Sequence, residues 1–242
     1  MTNKLIKFTV AAAAFAVASL SAQAADMPVK GRPKPPETLN WAGCYLGGDF
    51  GYAWARDFDA ERGSVTGVLS GFSPTDSANA NGFKLGGYLG CNWQVAGPFV
   101  IGAEGDLEWT NARGTTTFPN SGPPLDFYET RIDSQSSVRG RIGYALDNML
   151  LYVTGGAAFA HVTEHDVLAA TGAFDNNSAM RTGWTLGAGS DFAVTARWLA
   201  RIEYRYANFG TFRYVSTVFP GFAENHRITE NAVRLGLAYK FW

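Results

Sequence analysis

Charged side chains recur at every second residue in several stretches of this 242-residue chain. Glu104, Asp106 and Glu108 alternate with glycine and leucine, and Arg139 and Arg141 flank a single glycine. In an extended strand, alternate side chains share one face, so each stretch would present its charges together. Two chemistries fit such a face: an ion-selective aqueous path, or a core of salt bridges in which opposite charges satisfy one another. The residues predicted to form a charge network on this face are Asp49, Lys84, Glu104, Asp106, Glu108, Arg139, Arg141, Asp191, Arg201, Glu203, Arg205 and Arg234. Arg181 and Lys240 are predicted to lie on the same face.

The other reactive residue types form no catalytic pattern. His161 and His165 are four residues apart, a metal-ligand spacing on a helix, but here they leave a strand, and His226 stands alone. Metal capture at the surface and solvated loop histidines are both open interpretations. A hydrolase would need a serine or histidine nucleophile held by an acid, and no spacing singles one out. We predict no catalytic residue, no metal site, no cofactor and no enzymatic activity.

Eight stretches with a hydrophobic period of two would position the charges. In each, apolar residues occupy one face and small or charged residues the other, which is the pattern of a β-strand. The predicted strands cover residues 41–54, 82–94, 99–109, 137–145, 150–160, 181–192, 198–206 and 232–241. Short turns follow at 94–98, 145–149 and 193–197, whereas long polar loops are predicted at 55–81, 110–133, 163–180 and 207–230. This alternation predicts an all-β fold, an eight-stranded antiparallel up-and-down β-barrel.

The aromatic residues indicate which face of the barrel points outward. Trp54, Trp109 and Tyr206 lie at the long-loop ends of their strands, and a second set lies at the short-turn ends: Trp93, Phe99, Tyr144, Phe192, Trp198, Tyr239 and Phe241. Two aromatic girdles around an aliphatic band match the two interfaces of a bilayer. A soluble, lipocalin-like barrel would turn its apolar face inward, but an eight-stranded bore is too narrow for so many large side chains. We therefore predict a transmembrane barrel with a salt-bridge core, in which Glu104 lies opposite Arg139.

The N-terminal residues predict export. Residues 1–24 combine Lys4 and Lys7 with an apolar run and the small residues SAQA, as in a secretory signal peptide. Residues 25–40 hold four prolines and predict a periplasmic tether, which leaves residues 41–242 for the barrel. Removing residues 1–24 takes away two lysines and no acid, so the net charge moves from −1 to −3. This balance argues against a nucleic-acid partner.

The sequence resembles a known family in several places. NWAGCYLGGDFGYAW, LGGYLGCNWQ and YVTGGAAFA, together with the aromatic C-terminal end, are similar to the small OmpA-like outer-membrane barrels known as porin-family or outer-membrane immunogenic proteins. The resemblance covers residues 41–242. It implies a structural, surface-exposed protein of a Gram-negative outer membrane, with periplasmic termini and long extracellular loops for surface interaction. It also leaves haem capture by the loop histidines open, because some related surface barrels bind haem.

The C-terminal stretch carries a further resemblance. Arg234, Gly236, Tyr239 and Phe241 follow the pattern polar-x-Gly-x-x-aromatic-x-aromatic, which is similar to the signal that the outer-membrane barrel assembly machinery recognises. That machinery, outer-membrane lipid and lipopolysaccharide are the expected partners, and no residue pattern specifies an extracellular one. The alternative function is a small, porin-like diffusion channel for ions or small solutes.

Cys44 and Cys91 are expected to form a disulfide. Both lie on the apolar face at the short-turn ends of the first two strands, and an exported chain can be oxidised. If they are directly opposite, their Cα atoms are roughly 4.5–5.5 Å apart, within disulfide reach. The same register sets Leu46 opposite Leu89. The alternative is two free thiols that face lipid.

Overall fold

The computed structural model describes residues 39–59, 63–64, 78–117, 127–168, 171–215 and 222–241. The predicted signal peptide at 1–24 lies outside the described residues, and so does the predicted tether up to residue 38.

Ten antiparallel β-strands form the described chain. They are β1 (Gly43–Asp59), β2 (Gly63–Ser64), β3 (Ala78–Ala96), β4 (Phe99–Thr110), β5 (Arg113–Thr117), β6 (Phe127–Leu146), β7 (Met149–Leu168), β8 (Ala173–Ala193), β9 (Trp198–Val215) and β10 (Phe222–Lys240). The eight long strands close into a ring in the order β1, β10, β9, β8, β7, β6, β4, β3 and back to β1. The short strands extend this wall, because β5 pairs with β3 and β6, and β2 pairs with β10. The predicted eight-stranded antiparallel barrel is therefore confirmed.

The two ends of the barrel differ. Tight connections at residues 97–98, 147–148 and 194–197 define one end, which we call the short-turn end. The opposite end, which we call the long-loop end, carries β2, β5 and the outer parts of β6 to β10. Within the described ranges, no helix is long and apolar enough to cross a membrane.

Several strands continue past the limits expected from the sequence. The predicted long loop at 163–180 is wrong, because β7 and β8 pair as far as Leu168 and Ala173 and their connection occupies only residues 169–172. The predicted loops at 110–133 and 207–230 likewise contain β5, the first part of β6, the end of β9 and the start of β10. A strand whose outer face meets water needs no apolar period, and polar residues such as Thr163 and Ser178 sustain the same backbone pairing.

The outer face of the ring is apolar across its middle. Leu85 and Val138 are 64% and 66% exposed, which water would penalise and hydrocarbon would not. Aromatic pairs frame this belt, with ring centroids 5.4 Å apart for Trp184 and Tyr206 at the long-loop end. The corresponding distances at the short-turn end are 5.3 and 5.4 Å, for the pairs Trp198–Tyr239 and Phe99–Tyr144. Closure leaves no strand edge unpaired, as a bilayer requires. The apolar face points outward and meets lipid, as predicted.

Cys44 and Cys91 lie directly opposite each other in the β1–β3 pair and are joined by a disulfide, with their Cα atoms 4.0 Å apart. The register is the one expected from the sequence, since Leu46 faces Leu89. The bridge therefore links two neighbouring strands on the lipid-facing side of the short-turn end.

The disulfide can be tested on protein that has passed through the periplasm. We expect that alkylation of the unfolded chain without reductant leaves Cys44 and Cys91 unmodified, because both sulfur atoms are already bonded. Mass spectrometry measures the added mass, and the same sample reduced before alkylation is the control. Two alkylated thiols in the unreduced sample would show that the cysteines are free.

Candidate functional site

Arg139, in the middle of β6, is bonded to three carboxylates inside the barrel. Its Nη2 lies 2.5 Å from Glu104 Oε1 and 3.0 Å from Asp106 Oδ2, and its Nη1 lies 2.7 Å from Glu203 Oε1. The first contact follows from register, because Arg139 is the direct cross-strand partner of Glu104. The pair expected from the sequence is thus present, but as part of a larger cluster.

The cluster extends toward the short-turn end through Arg201, Asp191 and Arg141. Arg201 Nη1 lies 2.6 Å from Glu104 Oε2, and its Nε lies 2.7 Å from Asp191 Oδ1. Arg141 Nη2 lies 2.7 Å from Asp191 Oδ2. The hydroxyl of Tyr45 donates to Glu104 Oε2 at 2.7 Å and accepts from Arg141 Nη1 at 2.7 Å. Every oxygen of these two carboxylates therefore has a charged or hydroxyl donor.

Aromatic rings support the same guanidinium groups. Arg141 Cζ lies 3.8 Å from the ring centroid of Tyr152, and Arg201 Cζ lies 4.2 Å from that of Tyr88. A cation over an aromatic face is stabilised by the ring quadrupole. Tyr88 fits in the bore because facing positions are glycine: a Cβ on Gly47 would lie 2.5 Å from Tyr88 Cζ, and a Cβ on Gly236 2.8 Å from its hydroxyl oxygen.

Toward the long-loop end, Arg205 and Arg234 bridge a second group of carboxylates. Arg205 Nη1 lies 3.1 Å from Asp106 Oδ1, and its Nη2 bonds Glu108. Arg234 Nε lies 2.9 Å from Glu108 Oε1, and its Nη2 bonds Asp49. These contacts connect β1, β4, β9 and β10 across the bore, not merely along neighbouring strands.

Lys84 leads to an acid that the sequence interpretation missed. Its Nζ lies 2.9 Å from Glu108 Oε2 and 2.8 Å from Glu230 Oε1, and the Gln135 side-chain amide donates to Glu230 Oε2 at 2.6 Å. Glu230 falls in the predicted loop at 207–230, because the apolar alternation of the last strand is clear only from residue 232. Its spacing from Arg234 does follow the period of two, so extending the alternation backward would have found it.

Together these contacts join six cations to seven carboxylates in one network, which we call the lumen charge network. The structure brings all twelve sequence-predicted residues into it, with Glu230 in addition. Their side chains are between 0 and 4% exposed. Buried charges are tolerated only when paired, and here the signs are nearly balanced.

Two apolar layers seal the lumen charge network. At the short-turn end, Trp41, Leu150 and Leu199 fill the bore together with the rings of the interior tyrosines. At the long-loop end, the layer consists of small and branched residues with one ring: Ala55, Ala80, Ile132, Ala158, Ala160, Val162, Ala207, Phe209 and Ile228. Most of this second layer falls in predicted loops, so the sequence interpretation missed it. The charges are therefore enclosed above and below.

A polar group on the outer wall contains the residue types of a catalytic array. His161 Nδ1 lies 3.6 Å from Asp133 Oδ2, and His161 Nε2 lies 3.3 Å from Ser178 Oγ. Thr163 lies between them, because its hydroxyl donates to Asp133 Oδ2 at 3.0 Å and contacts Ser178 Oγ at 2.9 Å. The 3.6 Å between His161 Nδ1 and Asp133 Oδ2 is too long for the hydrogen bond by which an acid orients a catalytic histidine.

The remaining histidines are His165 and His226. His165 packs against Phe174, with ring centroids 5.8 Å apart, and the side chain of His226 lies outside the described part of the chain. No cluster of three or more His, Cys, Asp or Glu among the described residues is arranged to hold a metal ion.

The C-terminal pattern divides between the two faces of β10. Arg234 belongs to the lumen charge network, and Gly236 faces the Tyr88 ring inside the bore. Tyr239 and Phe241 point outward at the short-turn end, with ring centroids 5.7 Å apart. Half of the pattern therefore serves the interior of the folded barrel.

An apolar belt between aromatic girdles, closed around a charge-paired interior, defines a transmembrane β-barrel of the bacterial outer membrane. Residues 10–241 match the family model described as outer membrane protein beta-barrel domain, and the chain belongs to this family. It is 32% identical to the 31 kDa outer-membrane immunogenic protein of Brucella melitensis, over 98% of this chain and 100% of that protein. It is 31% identical to the 22 kDa outer membrane protein of Rhizobium leguminosarum, over 84% of this chain and 79% of that protein.

A solved structure supports the fold. The outer membrane protein OprG of Pseudomonas aeruginosa superposes with a TM-score of 0.51, at 12% identity, over 84% of this chain and 98% of that one. At this identity, the likeness concerns the fold alone.

The stability of the lumen charge network can be tested with Arg139. We expect Arg139→Met to lower the free energy of unfolding by about 3–5 kcal/mol, because it leaves five cations to balance seven buried carboxylates and removes the direct partner of Glu104. Adding Glu104→Gln removes one of those carboxylates, so the double variant should be more stable than Arg139→Met alone. Urea unfolding in lipid vesicles, followed by tryptophan fluorescence, measures both.

The matched control is Arg131→Met. This arginine is 47% exposed and pairs with Asp133 on the outer wall, so its loss should change the free energy of unfolding by about 0–1 kcal/mol. Costs for Arg139→Met and Glu104→Gln that simply add would contradict the coupling.

Proposed function

We propose that the protein is a structural, surface-exposed component of the outer membrane, whose closed barrel carries its long-loop end outside the cell for surface interaction. The observation that carries this proposal is the filled bore. The lumen charge network and its two apolar layers occupy the interior, so the exposed surfaces at the ends and around the wall are left for function.

The filled bore weighs against the alternative of a diffusion channel. A channel needs charged groups that face water, whereas the network side chains face one another and are at most 4% exposed. Eight strands also enclose an interior only wide enough for side chains. We therefore do not favour ion or solute passage.

The difference between the two ends supports the proposed orientation. The wall continues beyond the long-loop girdle as polar hairpins, as in the β7–β8 pair, whereas the short-turn end stops at its aromatic girdle. Short periplasmic turns and longer extracellular loops are usual in outer-membrane barrels. We place the short-turn end in the periplasm, with residues 1–24 as signal peptide, 25–40 as tether and 41–242 as barrel. The word immunogenic in the names of the Brucella relatives fits a surface location.

Two further elements of the proposal concern partners and chemistry. Arg234, Gly236, Tyr239 and Phe241 are proposed as the signal read by the barrel assembly machinery, for which the outward rings remain accessible at the short-turn end. No catalytic role is proposed, because His161 lies 3.6 Å from Asp133, too far for the hydrogen bond that would orient it toward Ser178.

The orientation can be tested with single introduced cysteines. Asn176 on β8 and Ala196 in the turn before β9 are both exposed, at opposite ends of the barrel. We expect a membrane-impermeant maleimide to label Asn176→Cys on intact cells, and Ala196→Cys only after the outer membrane is permeabilised. Since Cys44 and Cys91 are joined, the introduced residue supplies the reactive thiol. The reverse labelling pattern would refute the orientation, and the parent protein without an introduced cysteine is the control.

A further inference from the structure

Four arginines lie on the outer wall above the aromatic girdle of the long-loop end. They are Arg227 on β10, Arg56 on β1, Arg113 on β5 and Arg131 on β6, and all are exposed. These strands, with β3 between β1 and β5, are consecutive neighbours in the ring, so we call the four residues the basic arc. Strand alternation makes them outward-facing, because a chain neighbour of each is buried: Ile228, Ala55, Ala112 and Ile132.

The basic arc concentrates positive charge. Arg113 lies directly opposite Arg131, with Cα atoms roughly 4.5–5.5 Å apart in such a pair. Like charges in this position destabilise a sheet. Arg131 is relieved by Asp133, whose Oδ1 lies 2.5 Å from its Nε. Arg56, Arg113 and Arg227 form no ion pair with any residue that the structure describes. An external anion would relieve the excess charge.

On the opposite side of the barrel, the outward side chains that the structure describes carry no such charge. On β7 and β8, the described outward residues at the same height include His161, Thr163, His165, Asn176 and Ser178, with no lysine or arginine among them. A general attraction to lipid headgroups would not require cations on one side only. The distribution indicates one localised anionic ligand.

Below the basic arc, the lipid-facing wall contains a recess of about 350 Å³. Leu46, Gly87, Gly105, Val138 and Phe159 contribute to its lining, on β1, β3, β4, β6 and β7. Local packing does not demand the two glycines, because a Cβ on Gly87 or Gly105 would have its nearest neighbour at 3.4 or 3.7 Å. The missing side chains leave apolar space open toward lipid.

The recess lies at the depth in the bilayer where a lipid acyl chain ends. Gly105 precedes Arg113 by eight residues. At about 3.3 Å per residue and a strand tilt near 40°, Gly105 lies roughly 20 Å below Arg113 along the membrane normal. Half of a bilayer with its headgroups is also roughly 20 Å thick. The basic arc therefore lies at headgroup level when the recess lies near the midplane.

We propose that the basic arc and the recess together bind lipopolysaccharide, the phosphorylated glycolipid of the outer leaflet. Its phosphates would bind the arginines, whose planar guanidinium groups match phosphate oxygens in pairs, and an acyl chain would end in the recess. The arc spans five strands, roughly 19 Å at about 4.8 Å per strand, which is wider than one phosphodiester headgroup and suits several phosphates. The location in the outer leaflet rests on the proposed orientation.

The charge requirement is tested by native mass spectrometry of the full, folded chain in detergent, titrated with purified lipopolysaccharide. We expect Arg113→Gln with Arg131→Gln to weaken binding at least tenfold. The matched control is Arg197→Gln, an exposed arginine at the short-turn end, which should bind within twofold of the parent protein. Equal affinity of the double variant and the control would overturn the proposal.

The ligand class and the recess are tested separately. Phosphatidylglycerol and inorganic phosphate should bind at least tenfold more weakly than lipopolysaccharide, and equal binding of either would overturn the assignment to a glycolipid. Gly105→Val should weaken lipopolysaccharide binding several-fold without changing phosphate binding. Gly140→Val is its control, because Gly140 has comparable space on the outer face, with the nearest atom 4.0 Å from an added Cβ. Equal losses in the two valine variants would overturn the role of the recess.

Binding in detergent does not depend on which way the barrel lies in a membrane. A failed orientation would appear as reversed cysteine labelling with lipopolysaccharide affinity intact, whereas failure of this site would appear as unchanged affinity in the arginine variants.

Discussion

Six cations and seven carboxylates occupy a bore that has little room for water, so each charge must meet an opposite charge on another strand. Several of these ion pairs join direct cross-strand partners: Asp191 lies opposite Arg201, and Arg234 lies opposite Glu203. A slip of one residue in either pair would turn charges toward lipid and apolar side chains into the bore. The lumen charge network and the apolar belt therefore fix the register of the barrel together, from its two faces.

The need to pair buried charges also explains why apolar layers block the bore at both ends of the network. Charge pairing is strongest where water is excluded, and the layers that contain Trp41 and Ile132 exclude it at either end of the network. A filled interior supports the proposed role of the rim and of the outer face. The polar hairpins of the long-loop end and the basic arc are the surfaces that this arrangement makes available.

Much of this architecture could be predicted from the sequence because a barrel strand has a simple period. Alternation gave eight strands, the inner and outer faces and the register of Cys44 with Cys91. It failed where the outer face meets water, because polar residues such as Thr163 pair as strand without an apolar signal. Alternation could not predict groups whose residues come from different strands and meet only in the folded barrel. The basic arc is one such group, and Asp133 with His161 and Ser178 is another.

One bulge shows the limit of the period most directly. Arg131 and Arg139 lie eight residues apart on β6, so uninterrupted alternation would place both inside the barrel. The register shifts between Ile132 and Ser134, which reverses the alternation. Arg139 therefore belongs to the lumen charge network and Arg131 to the outer wall. Nothing in the local composition marks this shift, because a bulge is set by pairing with the neighbouring strand.

Paired charges close the barrel. Planar-bilayer recording of the folded, purified chain tests it most directly, with folding checked by the heat-dependent shift in gel mobility. We expect no conductance steps from the parent protein at any salt concentration. Steady steps whose size rises with salt would show a continuous aqueous path through the bore and would contradict it.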